Sequence, residues 1–290
     1  MGVVVISGGT NGMGRALALA RAERGDRVLV LGRNQARGEA LAGGRDRAHG
    51  EALPDGRDRA RGEVLAGGRI SFHPVDLSSV AENRRIIGEI LAGHPVIDAL
   101  VLFANAVAPR RVVTADGLER TFALYYLSRY LLGLGLSAAL DRAVAPVIVN
   151  VAGVGTRRGR VHWDDPTLAA NYSAVTAQLQ AGRANDLLGV GFAERSGSRA
   201  RYVLYHPGFT RSGDHSPLPP MLRGLLRAAA AVAAQPVPKA VAPIHGFLDT
   251  PPAEPLTAID RDRRLPLDLP TLNPLDAARL MDLSEKLHRL

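Results

Sequence analysis

Residues Val3 to Ala20 read VVVISGGTNGMGRALALA. The run opens with four consecutive β-branched apolar residues, which suits a strand buried on both faces. Glycines follow at 8, 12 and 14, and then an Ala- and Leu-rich helical pattern begins. Gly8 allows a tight turn, Gly12 lets the backbone approach a pyrophosphate, and Gly14 lets the helix pack closely on the strand. The N-terminus of that helix offers free N–H groups and the positive end of its dipole to phosphates. A glycine triplet alone is weak evidence. Its place between a strand and a helix gives it meaning.

The same alternation continues outward from this unit. Val28 to Leu31, Ile70 to His73, Ala99 to Phe103, Val147 to Val151 and Tyr202 to Tyr205 read as further buried strands after Val3 to Ile6. Helical patterns lie between them, at Gly14 to Glu23, Val80 to Leu91, Leu118 to Leu140 and Ala181 to Arg195. The expected fold is α/β, a Rossmann-type doubly wound parallel sheet with helices on both faces, in a single domain over 1–290. Beyond Thr210 the chain turns Pro-rich. There the pattern predicts a helix from Met221 to Ala234, a loop-rich stretch from Pro236 to Pro270 and a closing helix from Leu275 to Leu287. Residues 211–290 form the substrate-side and C-terminal segment of the domain.

One segment departs from this rhythm. ARGEALAGGRDR, AHGEALPDGRDR and ARGEVLAGGR follow one another over residues 36–69. This tandem repeat is too short for a solenoid unit. It reads as an expansion in the crossover between the second and third strands, tolerated because lengthening a loop costs little. The alternative is a lid or docking arm near the adenosine end.

The 290 residues are 46% hydrophobic, enough to bury one large core. No apolar run is long enough to span a bilayer. The N-terminus enters a strand at once, without a basic region or cleavage site, so the expectation is a soluble cytoplasmic protein without a membrane partner. The absence of cysteine excludes disulfides and thiolate metal sites. The net charge of +8 comes almost wholly from arginine, with lysine only at Lys239 and Lys286. Basic residues are scattered among acidic ones and aromatics are 4%, which argues against a nucleic-acid surface.

The second strand ends LVLGRN. An acidic residue there would bind the ribose hydroxyls of NAD, whereas Arg33 suits the extra phosphate of NADP, with Thr10 and Asn34 assisting. These residues identify the chain as resembling the short-chain dehydrogenase/reductase superfamily, and its retinol-dehydrogenase type in particular. Ser7 to Gly14 is similar to the family's T-G-x-x-x-G-x-G motif. PVDLSS, ADGLERTFALYYLSRYLL, VIVNVAG and HPGFTRSG resemble its adenine-contacting turn, central helix, fifth strand and nicotinamide loop. The resemblance implies NADP(H) as cofactor, held by Gly8, Thr10, Asn11, Gly12, Met13, Gly14, Arg33, Asn34, Asp76, Leu77, Ala104, Asn105, Pro207, Gly208 and Thr210. It also implies a small-molecule substrate and helices, Leu118 to Leu140 and Ala181 to Arg195, of the kind that pair subunits into homo-oligomers.

The family's catalytic groups are a Tyr acid, a Lys that lowers the Tyr pKa, a Ser and an Asn. In AANYSAVTAQLQAGRAND, residues 169–186, matching GRANDLL to the family's K-L-A-N-x-L-F puts Gln178 at the Tyr and Gly182 at the Lys. Gly153 then stands at the Ser and Tyr125 at the Asn. A rival placement keeps Tyr172 as the Tyr but leaves Thr176 for the Lys. Tyr125 is the best replacement acid, or else an aromatic that fills the space left by Gly153 and Gly182. Gln178 offers an amide N–H to a carbonyl oxygen, and Tyr172 is a second candidate at the rim. His206 reads as structural, Asp165 before Pro166 as turn chemistry, and Trp163 as a pocket-lining candidate. No metal site is expected. Three readings follow: a rewired NADP(H)-dependent oxidoreductase of a small hydrophobic metabolite, a non-redox enzyme on the same fold, or a non-catalytic NADP(H)-binding protein.

Overall fold

The computed structural model describes residues 1–44, 68–208 and 235–287. Eight strands among these residues form one sheet in the order β3-β2-β1-β4-β5-β6-β7-β8. They are β1 (Val3–Ser7), β2 (Arg27–Gly32), β3 (Ile70–Pro74), β4 (Ala99–Leu102), β5 (Val147–Val151), β6 (Arg201–His206), β7 (Leu256–Asp260) and β8 (Arg263–Arg264). All neighbours pair in parallel except β7 with β8.

Alternate strand residues face opposite layers. Val4, Ile6, Val28 and Val30 pack against α1 (Gly12–Glu23), α2 (Gln35–Ala42) and α7 (Val237–Asp249), through Leu17, Leu41 and Ile244 among others. Val5, Leu29, Leu31, Leu100 and Leu102 belong to the second layer. That layer holds α3 (Val80–Gly93), the central helix α4, α6 (Ala174–Arg195) and α8 (Pro274–Leu287). Burial of apolar side chains on both faces is the main stabilising term for such a sheet.

The central helix is not regular. It runs as a helical turn at Arg120–Phe122, a π-helical turn at Ala123–Leu127 and an α-helix at Ser128–Gly135, here together α4. A short helix α5 (Ser137–Leu140) completes the span expected as one helix from Leu118. The buried Glu119 carboxylate starts α4, accepting from Thr121 N and Phe122 N at 2.8 Å each. Helix α6 begins seven residues before its expected start. Ser173 caps it, its Oγ accepting from Thr176 N at 3.0 Å.

The stretch from Pro236 to Pro270 is corrected. It holds α7 and β7 rather than loop. Its prolines misled because Pro236 and Pro238 sit at the first turn, where the missing N–H removes no helical bond. Pro243 lies inside α7, which is held by the buried Ala240, Val241 and Ile244. The expected helix Met221 to Ala234 and most of the repeat lie outside the described residues, although α2 covers the repeat's first residues.

Candidate functional site

The sheet order reverses between β2-β1 and β4-β5, and the crevice outside those strand ends is where such sheets bind ligands. Gly8 stands there with φ +73°, and a Cβ on it would lie 2.8 Å from Ala104 N. A Cβ on Gly14 would meet Gly8 O at 2.4 Å. Two backbone stretches therefore touch at distances no side chain permits. Asn11 caps α1, its Oδ1 accepting from Gly12 N at 2.9 Å, and Arg15 N donates to Asn11 O. The N–H groups of Met13 and Gly14 keep no partner among the described residues. They lie at the positive end of α1.

Around this turn the other expected cofactor residues are found in varied use. Thr10 packs beside Gly32 at the end of β2. Arg33 is exposed and makes no ion pair among the described residues. Asn34 caps α2 through Oδ1, which accepts from Arg37 N at 2.9 Å, so its amide N–H groups remain free to donate. Asp76 accepts from Ser78 N and Oγ at 3.0 and 2.7 Å, and Leu77 is buried. Pro207 and Gly208 follow β6, and Thr210 lies outside the described residues.

Past β4 and β5 the site is built from side chains. Gln178 and Gly182 lie one turn apart on α6, whereas Tyr172 and Thr176 straddle the cap at Ser173. A Cβ on Gly182 would meet nothing within 4 Å, and one on Gly153 only Thr156 Oγ1 at 3.5 Å. The Gln178 amide forms a reciprocal pair with Asn105. Its Oε1 accepts at 3.1 Å, and its Nε2 donates to Asn105 Oδ1 at 3.2 Å and to Ala106 O at 3.1 Å. Both N–H groups of Gln178 are therefore engaged. The Tyr172 hydroxyl donates to Ala108 O, which engages its proton too.

Tyr125 differs from both. It sits in the π-turn of α4, a feature that recurs at functional sites, and its hydroxyl has no partner among the described residues. Its ring stacks on the Arg129 guanidinium, 4.7 Å from Cζ to the ring centroid. Arg129 in turn donates from Nη1 to Val151 O at 2.9 Å and from Nη2 to Ala104 O at 3.0 Å. Those carbonyls mark the ends of β5 and β4, so Tyr125 lies beside the strand ends that flank the crevice. Burial pushes its phenol pKa up and the Arg129 charge opposes that rise, so the hydroxyl is protonated at neutral pH.

Sequence reasoning singled out none of Arg129, Asn150, Asn185 and Asp186. Asn150 Nδ2 donates to Tyr202 Oη at 2.9 Å and to Asn185 Oδ1 at 3.1 Å, and Asn185 Nδ2 donates to Tyr125 O at 2.8 Å. The signal that could have found this network is a lone arginine inside the apolar run ALYYLSRYLL. Asp186 is buried beside Arg183, 3.6 Å away, and burial raises its carboxyl to about 8. Arg183 also donates to Thr156 O at 2.9 Å, fixing the loop after β5.

A cavity of about 580 Å³ opens against another stripe of α6, lined by Arg160, His162, Trp163, Arg183, Leu187 and Pro270 among others. Trp163 lines it, with Arg279 stacked on its ring at 4.4 Å. None of its walls belongs to the cradle. Asp165 accepts from Ala169 N and Ala170 N at 2.7 and 3.0 Å, which is turn chemistry. His206 Nδ1 pairs with Asp260 Oδ1 at 2.9 Å across β6 and β7, a structural contact. Among the described residues no group of acidic and histidine side chains is arranged to hold a metal, and no helix is long and apolar enough to cross a membrane.

Comparison with known proteins agrees with this geometry. Residues 2–174 match the short chain dehydrogenase family, and the match stops four residues before Gln178. A WW domain-containing oxidoreductase of Drosophila melanogaster is 30% identical over 154 residues, 51% of this chain and 37% of that protein. Mouse retinol dehydrogenase 11 is 28% identical over 139 residues, 48% of this chain and 44% of the other. The aligned part thus spans less than half of either relative. An uncharacterised protein from Mycobacterium paratuberculosis shares the fold with a TM-score of 0.67 at 22% identity, over 100% of this chain and 94% of its own. So does a short chain dehydrogenase of Escherichia coli CFT073 solved with NADPH, with a TM-score of 0.62 at 17% identity, over 90% of this chain and 97% of its own. Sheet order, glycine cradle and family match together make this chain a member of the short chain dehydrogenase family.

Proposed function

We propose that the chain is an NADP(H)-dependent oxidoreductase acting on a carbonyl or alcohol of a small hydrophobic metabolite, with Tyr125 as its acid. The observation that carries this reading is the cradle. Gly8 and Ala104 touch backbone to backbone, and two N–H groups at the start of α1 have no partner among the described residues, as an anionic pyrophosphate requires. Arg33, exposed and without an ion pair among the described residues, suits a ribose phosphate, and two neighbours of the same fold were solved with NADP and NADPH. The residues present therefore fit the dinucleotide, which supplies the hydride when bound.

The chain's own part is orientation and proton delivery. Tyr125 has a hydroxyl with no competing partner among the described residues, while the protons of Gln178 and Tyr172 are engaged. The loop after β4 exposes Val107, Val112 and Val113, apolar surface that favours a hydrophobic substrate. The test follows nicotinamide absorbance with NADPH and a panel of apolar ketones and aldehydes. Turnover is expected, and Tyr125→Phe should lower kcat by about 10²–10⁴-fold while NADPH binding holds. Binding without turnover would favour a non-catalytic nucleotide-binding protein. Failure to bind either NADPH or NADH would overturn the reading.

A further inference from the structure

Arg129 is fully buried, with no carboxylate paired to it among the described residues. Its Nη1 donates to Asn150 Oδ1 and Val151 O, its Nη2 donates to Ala104 O, and its Nε has no partner among the described residues. A buried guanidinium without a counter-ion is costly, because desolvation of the charge is not offset by an opposite one. Burial lowers its pKa to about 10, which leaves it charged at neutral pH. Carbonyl and amide oxygens could be satisfied by neutral donors. The charge itself therefore needs another explanation.

The groups that face Tyr125 point to one. On its own helix the guanidinium lies under the ring. From α6 comes Asp186, which burial keeps largely protonated near neutral pH, so it opposes little. From β6 comes Tyr202, which burial also holds neutral and which meets Arg129 through Asn150. The guanidinium is thus the dominant fixed charge at Tyr125. Asn185 meanwhile holds the Tyr125 carbonyl at 2.8 Å, which fixes the π-turn.

We propose that Arg129 is the positioning residue for proton delivery, its charge held beneath the Tyr125 ring to stabilise the phenolate that forms there. This rests on the oxidoreductase reading. In the reductive direction the Tyr125 O–H bond breaks as a new O–H bond forms on the substrate's carbonyl oxygen. The carbonyl carbon takes the hydride from the reduced nicotinamide dinucleotide, which is oxidised. The phenolate left on Tyr125 recovers a proton from solvent.

The test is a spectrophotometric titration of tyrosine ionisation, which needs no substrate. In the wild type, the ionisation lost in Tyr125→Phe should fall at lower pH than that lost in Tyr126→Phe, because Tyr126 is the more enclosed of the two and packs on Phe122 rather than on a cation. Arg129 is charged below about pH 10, so Arg129→Gln should move the onset of the Tyr125 ionisation up and lower kcat at neutral pH about tenfold or more, with the KM for NADPH little changed. Arg129→Lys, which keeps the charge, should recover most of that shift. Tyr125 titrating with or above Tyr126 in the wild type would overturn the proposal even if Arg129→Gln fails to fold. So would an unmoved Tyr125 titration in folded Arg129→Gln. If Tyr125→Phe keeps full turnover, the acid assignment fails instead, and the titration still reports whether Arg129 sets the phenol's charge.

Discussion

The cradle between β1 and α1 and the wall formed by α4 and α6 face the same crevice, and glycine means opposite things in them. At Gly8 and Gly14 a single added carbon would collide with backbone, 2.8 Å from Ala104 N and 2.4 Å from Gly8 O. At Gly153 and Gly182 an added carbon meets open space or ordinary contact. In the first region glycine is demanded by the fold of the main chain. In the second we propose that it stands where the family's pattern would place a side chain. A backbone-built site resists change because each atom serves the fold as well as the ligand. A side-chain-built site can be emptied while the helix beneath it stays intact.

The largest effect should follow from breaking the first region. Gly14→Ala drives its Cβ into the Gly8 carbonyl, which belongs to a turn that cannot shift without moving β1. A loss of about 3 kcal/mol or more in stability is expected, with NADPH affinity lost as well. Thermal unfolding and calorimetry on the same preparation read both. Retained NADPH binding would mean that the close approach is not what forms the cradle.

Arg33 tests the cradle's selectivity rather than its existence. Arg33→Glu should weaken NADPH by about 10- to 100-fold and leave NADH unweakened, since one charge-assisted contact to a phosphate is removed. Equal loss of both cofactors would place Arg33 away from the ribose. The cradle's outline was legible in the sequence because strand, turn and helix are contiguous, although Gly8 also meets Ala104 beyond β4, which no local spacing shows. The wall was harder to read. Arg129 takes its meaning from Ala104, Asn150 and Val151, which lie on two other strand ends, and from a ring one turn away. No local spacing encodes such a meeting. The stretch from Pro236 was misread for a different reason. Proline content signals loop on average, but in α7 the packing of Ala240, Val241 and Ile244 overrides it.

Asp186 separates the wall's stability from its chemistry. Its carboxyl titrates at about 8 in the fold and near ~4 when unfolded. Its contribution to stability is therefore fully present below pH ~4, falls as the pH rises toward 8, and is level above that. Asp186→Asn keeps an acceptor for the Gly155 N–H and removes the charge. The variant should gain on the wild type across that window, reaching on the order of 1–3 kcal/mol at alkaline pH. Chemical denaturation at several pH values would measure it. A gap that does not change with pH would show that Asp186 stays ionised throughout.

The smallest effect is also the sharpest contrast with Gly14. Gly182→Ala makes the same chemical change, but within α6 and into free space. Alanine reduces the conformational freedom of the unfolded chain and suits a helix interior better than glycine, so stability should rise by about 0.5–1 kcal/mol. NADPH affinity should hold within about twofold, since no cradle atom is touched. The paired melting curves of Gly14→Ala and Gly182→Ala then carry the comparison: opposite signs are expected from one methyl group. If Gly182→Ala instead destabilised the protein, the open space beside Gly182 would have to be filled in solution. The wall would then be packed rather than vacated, and the room needed for a substrate beside Tyr125 would be missing.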